Sequence, residues 1–214
     1  MKLKLFLGVL GITVSTWAAV QSQVAENSQG SFAAQMSVAK NASLPMGARW
    51  SALLRAADVA SSEQIEEIRT FTKSSDWYMR NAAMMALSKM GGDYAIEEAK
   101  KLVKDKALVV RSAAVDLIAT KFTLENRKIL ADELAQNYNF KGKHSLWIRP
   151  QIMKHLASRA SRDDRAFFAR YLFDQDSVIE ELAADTLEKI TDVNFSGKDH
   201  LAQWKVFVKE KKWL

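Results

Sequence analysis

Arg49, Arg80, Arg111, Arg149 and Glu180 head five stretches that align with one another, at steps of 31, 31, 38 and 31 residues. Three residues after each stand Ala52, Ala83, Ala114, Ile152 and Ala183; seven after stand Ala56, Leu87, Ile118, Leu156 and Leu187. One residue before stand Ala48, Met79, Val110, Ile148 and Ile179. Offsets of −1, +3 and +7 share one face of a helix with 3.6 residues per turn. Each stretch therefore predicts a helix with an apolar seam, and the fixed pitch marks a repeat architecture.

The second half of each unit is also helical in period. Ile68, Ala99, Leu130 and Phe168 come nineteen residues past the first four heads, and Phe71, Leu102, Leu134 and Tyr171 follow about one turn on. Polar or glycine-bearing breaks separate the halves, with Ser62, Asp93, Thr123 and Ser161 suited to cap a helix N-terminus. Each unit thus reads as a helical hairpin. One hairpin cannot bury its own seam, but stacked hairpins share a core. The expected fold class is all-α: an α-solenoid of about five antiparallel helix hairpins over residues 44–190, closed by a capping helix within 191–214. In that cap Leu201, Trp204, Val208 and Trp213 are expected to face inward. Residues 19–43 read as a linker, in which 31–40 could supply a lone N-terminal helix. The extra seven residues in the 38-residue step fall around 137–143, a loop insertion between units three and four.

Composition agrees with helices. Glycine and proline number 8 and 2 among 214 residues, well under the average share of about 12%, which disfavours folds built from many tight hairpin turns. No cysteine is present, so disulfide scaffolds, thiolate zinc sites and cysteine nucleophiles are excluded. At the N-terminus Lys2 and Lys4 precede an apolar run from Leu5 to Val14 and a small-x-small pattern at Thr16, Trp17 and Ala18. That is the grammar of a signal peptide over residues 1–18; a retained membrane anchor is the competing reading. Cleavage would remove two lysines and no acid, lowering the net charge from +6 to +4.

The segments 76–87, DWYMRNAAMMAL, and 108–118, LVVRSAAVDLI, resemble the first helices of HEAT repeats, most nearly the short phycobilisome-lyase type. The resemblance spans about 44–190. It departs at Ile152 and His155 in unit four and at Glu180, which replaces the arginine in unit five. It implies a scaffold for macromolecular partners, and it implies that the arginine column bonds acids or carbonyls at inter-repeat turns, where Asp76, Asp105 and Asp174 stand. It also implies that second helices line a concave surface.

Opposite the buried stripes of those helices lie Glu67, Lys101, Lys104, Lys128, Asp132 and Arg165. Their mixed signs suit a protein or peptide and not nucleic acid, which asks for a continuous basic track. Tyr138 and Phe140 on the insertion, with neighbouring Trp147, either anchor a partner or pack down to seal the gap between units. The adjacent acids Glu66–Glu67, Glu97–Glu98, Asp163–Asp164 and Glu180–Glu181 point about 100° apart on a helix, so they read as solvated faces and not as paired catalytic carboxyls. His144, His155 and His200 lack metal-ligand spacing, and His155 reads as a buried, hydrogen-bonded histidine. No catalytic, metal or cofactor site is expected.

The sequence thus reads as an exported, periplasmic or secreted, non-enzymatic scaffold for a protein or peptide partner. It would meet a membrane only if the N-terminal segment is retained. An accessory protein of a lyase-like enzyme and a nucleic-acid or polyanion binder are the alternatives.

Overall fold

The 31-residue register is carried by helices, as a computed structural model describing residues 30–142 and 144–214 shows. The signal segment read at 1–18 lies outside the described residues. Among the described residues eleven α-helices follow in order: α1 (Phe32–Lys40), α2 (Met46–Val59), α3 (Ile65–Arg69), α4 (Trp77–Met90), α5 (Asp93–Leu102), α6 (Leu108–Thr120), α7 (Leu124–Glu133), α8 (Ile148–Ser158), α9 (Arg165–Tyr171), α10 (Ser177–Thr191) and α11 (His200–Glu210). The first helices α2, α4, α6, α8 and α10 pack in succession, each on the next. The second helices α5, α7 and α9 each pack on the first helix of the following unit, as α3 and its 3₁₀ extension Thr70–Lys73 do on α4. The protein is therefore an all-α solenoid: each hairpin buries its seam against its neighbours.

Fourteen of the fifteen seam positions are buried, most of them completely. The +3 column is alanine in four units, so neighbouring backbones can approach closely there, while Ile152 fills the same place in α8. Fully burying a leucine- or isoleucine-sized side chain stabilises by about 1.5–3 kcal/mol, so the repeated column is a large share of the driving force. The exception is Ala48, which is exposed in the first turn of α2 at the start of the stack. In the second-helix column Ile68, Ala99, Leu130 and Phe168 are all fully buried.

Hairpin breaks use several devices. Thr123 accepts from the Asn126 amide at 3.1 Å, and Ser161 forms a capping box with Asp164. Two expected caps differ. Ser61, not Ser62, caps the next turn together with Gln64, and Asp93 is already inside α5, with Gly92 before it. Gly92 has φ +90°, and a Cβ there would sit 2.5 Å from the Tyr94 ring, so glycine is required. Pro150 lies in the first turn of α8, where its missing N–H breaks no helical bond.

The arginine column is a ladder that joins successive units. Arg49 donates to Asp76 at 2.9 Å and to the Ala39 carbonyl. Arg80 grips Asp105 through Nε and Nη2 at 2.6 and 2.7 Å and donates its other terminal nitrogen to the Ser74 and Ser75 carbonyls. Arg149 reaches Asp174 through both terminal nitrogens, at 3.1 and 2.6 Å. Burial works against the charge of Asp105, but the Arg80 fork and the Ala107 amide outweigh it and hold the carboxyl below its ordinary range. Two rungs depart. Arg111 has no acid, and bonds the Asn139 side chain and the carbonyls of Tyr138, Asp105 and Lys106. At Glu180 the polarity inverts: Lys205 of α11 donates to it at 2.6 Å.

The insertion is ordered by this ladder. Asn137–Asn139 form a 3₁₀ turn, and Phe140–Lys141 pairs antiparallel with His144–Ser145, a two-residue hairpin that the helical reading of the chain did not contain. At the far end α11 buries Trp204 and Val208, while Leu201 and Trp213 are half-buried. Phe195, Trp204, Phe207 and Trp213 form an edge-to-face chain with centroids 5.0–5.8 Å apart, a geometry that adds to plain area burial.

Candidate protein-binding site

The second helices carry a charge network of their own. Lys40 bonds Glu67 at 2.5 Å, Arg69 bonds Glu98 at 2.6 Å, and Lys100 bonds Glu125 at 2.9 Å. Arg127 then pairs with Asp164, and Arg162 with Asp192. Every junction along that side of the stack is thus bridged at least once, and Lys121 adds a second bridge to α5 through Asp93 at 2.7 Å. Four of the first five pairs lie 25–30 residues apart, and the pair across the insertion lies 37 apart. Opposite charges near the repeat pitch were the available signal in the sequence. Exposed pairs of this kind each contribute only about 0–1 kcal/mol. Glu98 and Asp164 are the buried acids of the network. Desolvation opposes the charge of Glu98, but hydrogen bonds from Lys101 and Arg69 prevail and hold it below its ordinary range.

This network sorts the six charged candidates. Glu67 is one of its rungs. Lys101 is exposed, and its ammonium is tied to buried Glu98 at 2.7 Å. Lys128 and Asp132 pair with each other along one turn of α7, also at 2.7 Å. Lys104 and Arg165 are exposed and make no ion pair among the described residues; Arg165 donates to the Arg162 carbonyl at 3.0 Å. The six are spread over α3, α5, the turn after it, α7 and α9, with most of their charge locally paired and two cations left over.

The aromatic candidates divide. Tyr138 donates its hydroxyl to Glu133 at 2.7 Å, and the Arg111 guanidinium lies 5.2 Å from its ring centre. Burial and the neighbouring carboxylate push that phenol up from its ordinary value. Phe140 is half-buried beneath Arg149, 4.2 Å from ring centre to guanidinium. Both rings therefore brace ladder arginines. Trp147, just before α8, is 52% exposed. Of the three it is the most exposed, with Tyr138 next at 38%.

Three other features bear on chemistry. His155 is half-buried and bonds Asp116 at 2.8 Å, so it sits nearer the surface than a core histidine. That hydrogen bond, with one from Gln151, depresses the Asp116 carboxyl against partial burial. His200 shares its Nε2 with Glu181 at 2.8 Å, which raises its pKa. His144 is exposed in the small hairpin. Among the described residues no three metal-binding side chains converge, and no helix is long and apolar enough to cross a membrane.

A comparison with curated proteins gave no match. Residues 45–119, from α2 through α6, match the family profile described as HEAT repeats, so this part of the solenoid is similar to HEAT repeats.

Proposed function

We propose that the protein is an exported, non-enzymatic HEAT-repeat scaffold that binds a protein or peptide partner in the cell envelope. HEAT repeats commonly mediate protein–protein interaction. The observation that carries the reading is the second-helix surface, a row of helices bridged at each junction with Lys104 and Arg165 without ionic partners among the described residues; Trp147 stands exposed apart from it, at the head of the first helix α8. Rigid presentation lowers the ordering cost of binding, exposed aromatics serve as anchors, and unpaired rim charges steer approach. By the family pattern this surface is the concave one. Export rests on the basic, apolar and small-residue grammar of residues 1–18.

Affinity capture from envelope extracts tests this reading. The unaltered chain should retain a stoichiometric protein, and Trp147→Ala with Arg165→Glu should release most of it. Lys101 is unsuitable for charge reversal because a glutamate there would face buried Glu98. Recovery of no protein, together with steeply salt-dependent binding to DNA, would replace the reading with that of a polyanion binder.

A further inference from the structure

Between α5 and α7 lies a pocket of about 540 Å³ on the second-helix side. Val103, Ile129, Ala131 and Ala135 give it apolar walls. Glu133 also lines it, a carboxylate on a side chain only 2% exposed. A buried carboxylate needs compensation, and here it is incomplete. Tyr138 donates to Oε2 at 2.7 Å, with Asn139 behind it at 3.5 Å, while Oε1 accepts from no described residue. Burial raises the Glu133 carboxyl above its ordinary value despite the favourable fields of Lys104 and Arg111. Arg111 is committed elsewhere, to Asn139 and three carbonyls.

The rim is not cationic overall. Lys100 is held by Glu97 and Glu125, both at 2.9 Å, and Asp132 by Lys128. Lys104 is the rim charge without a pair among the described residues. Of the charged residues that line the pocket, Lys100 and Lys104 face Asp132 and Glu133, so the lining is balanced, two acids to two bases. Apolar walls around a half-satisfied carboxylate match a side chain with an alkyl stem and a cationic head.

We infer that the α5–α7 pocket is a specificity subsite for an arginine or lysine side chain of the partner, with Glu133 as its counter-ion. The inference deepens the scaffold reading and rests on it for the source of that side chain. It also gives the insertion a purpose, since Tyr138 and Asn139 hold Glu133 from behind and leave one oxygen directed to the ligand. Lys104 is then a competitor at the rim.

The test is a titration of the ¹⁵N-labelled protein with N-acetyl-arginine methylamide and its lysine, norleucine and glutamate counterparts. Arginine and lysine should shift the amides of Val103, Ile129 and Ala135 saturably, and norleucine and glutamate should not. Glu133→Gln should weaken arginine binding about tenfold, the loss of a charged hydrogen bond. Lys104→Ala, a surface change that leaves the fold alone, should tighten it about threefold. Equal shifts with norleucine, preference for glutamate, no saturable shift, or an unchanged affinity in either variant would overturn the inference; if Glu133→Gln does not fold, Lys104→Ala decides. Arginine binding without any captured protein would sink the scaffold reading alone. A captured partner whose retention basic side chains do not compete with would sink the subsite alone.

Discussion

Arg80→Met should destabilise the protein far more than its single charge suggests. Arg80 and Asp105 side chains are each only 7% exposed, and the guanidinium makes two hydrogen bonds to Asp105 at the unit-two to unit-three turn and two to the Ser74 and Ser75 carbonyls in the turn before α4. The substitution preserves the stem but leaves Asp105 desolvated, with the Ala107 amide at 2.7 Å as its remaining donor. Removing one member of a buried pair costs about 3–5 kcal/mol, and two carbonyls lose donors besides. Arg111→Met should cost less, roughly 1–3 kcal/mol, because all its partners are neutral. Adding Asp105→Leu to Arg80→Met should recover much of the loss, since no uncompensated charge then remains. Urea unfolding followed by circular dichroism measures the ranking, and hydrogen exchange in α4 and α6 shows whether the loss is local to the seam. An Arg80→Met cost below about 1 kcal/mol, or a double variant weaker than the two single losses added together, would refute the ladder as a source of stability.

Acid should weaken the same rung. The carboxyl of Asp105 is depressed in the fold, so its contribution is present above the unfolded value near pH 4 and is lost as pH falls through the lower folded value. Thermal melts below pH 4 should therefore fall less steeply in Asp105→Asn than in the parent. The His200 case has the opposite sign. Its pKa is raised by Glu181, so the contact stabilises fully below about pH 6.5 and fades as pH rises past the folded value; α11 amides should exchange faster at pH 8 than at pH 6 after correction for intrinsic rates, and Glu181→Gln should abolish the difference. Gly92→Ala places a Cβ 2.5 Å from the Tyr94 ring at φ +90° and should cost about 1–3 kcal/mol in urea unfolding, with an unchanged midpoint refuting the need for glycine.

The stacking was readable because it depends on spacing alone. Seams at −1, +3 and +7 need only small or apolar residues at the right period, and a helix turns any such residue inward. Ala48 departs from the pattern: it is exposed in the first turn of α2 although α1 packs on that helix, and its spacing alone does not set it apart. The arginine rungs were readable as a column, and the acids of Asp76, Asp105 and Asp174 as turn residues, but the pairing of each arginine with the following turn needed the fold. Arg111 shows why, since the insertion that lengthens its unit also substitutes Asn139 for the acid. The second charge network was missed for a related reason. Lys40, Arg69, Lys100, Arg127 and Arg162 do not align in one column; each finds an acid near the next repeat through long, flexible stems. The candidate surface was legible residue by residue, yet local pairing had neutralised most of it. Glu133 was not singled out in the sequence, because only the folding of Tyr138 and Asn139 over it makes it a buried, half-satisfied carboxylate.

The chain contains no cysteine, so single cysteines can report on the shared seams directly. Placed in turn at Ala52, Ala83, Ala114 and Ala183, and at the exposed controls Met85 and Val109, they would be labelled with a small thiol reagent under native conditions. If successive hairpins join through one buried column, all four seam thiols label only on unfolding, about a thousandfold or more slower than the controls. Seam thiols that react at the rate of Met85→Cys and Val109→Cys in a folded protein would contradict the stacked solenoid.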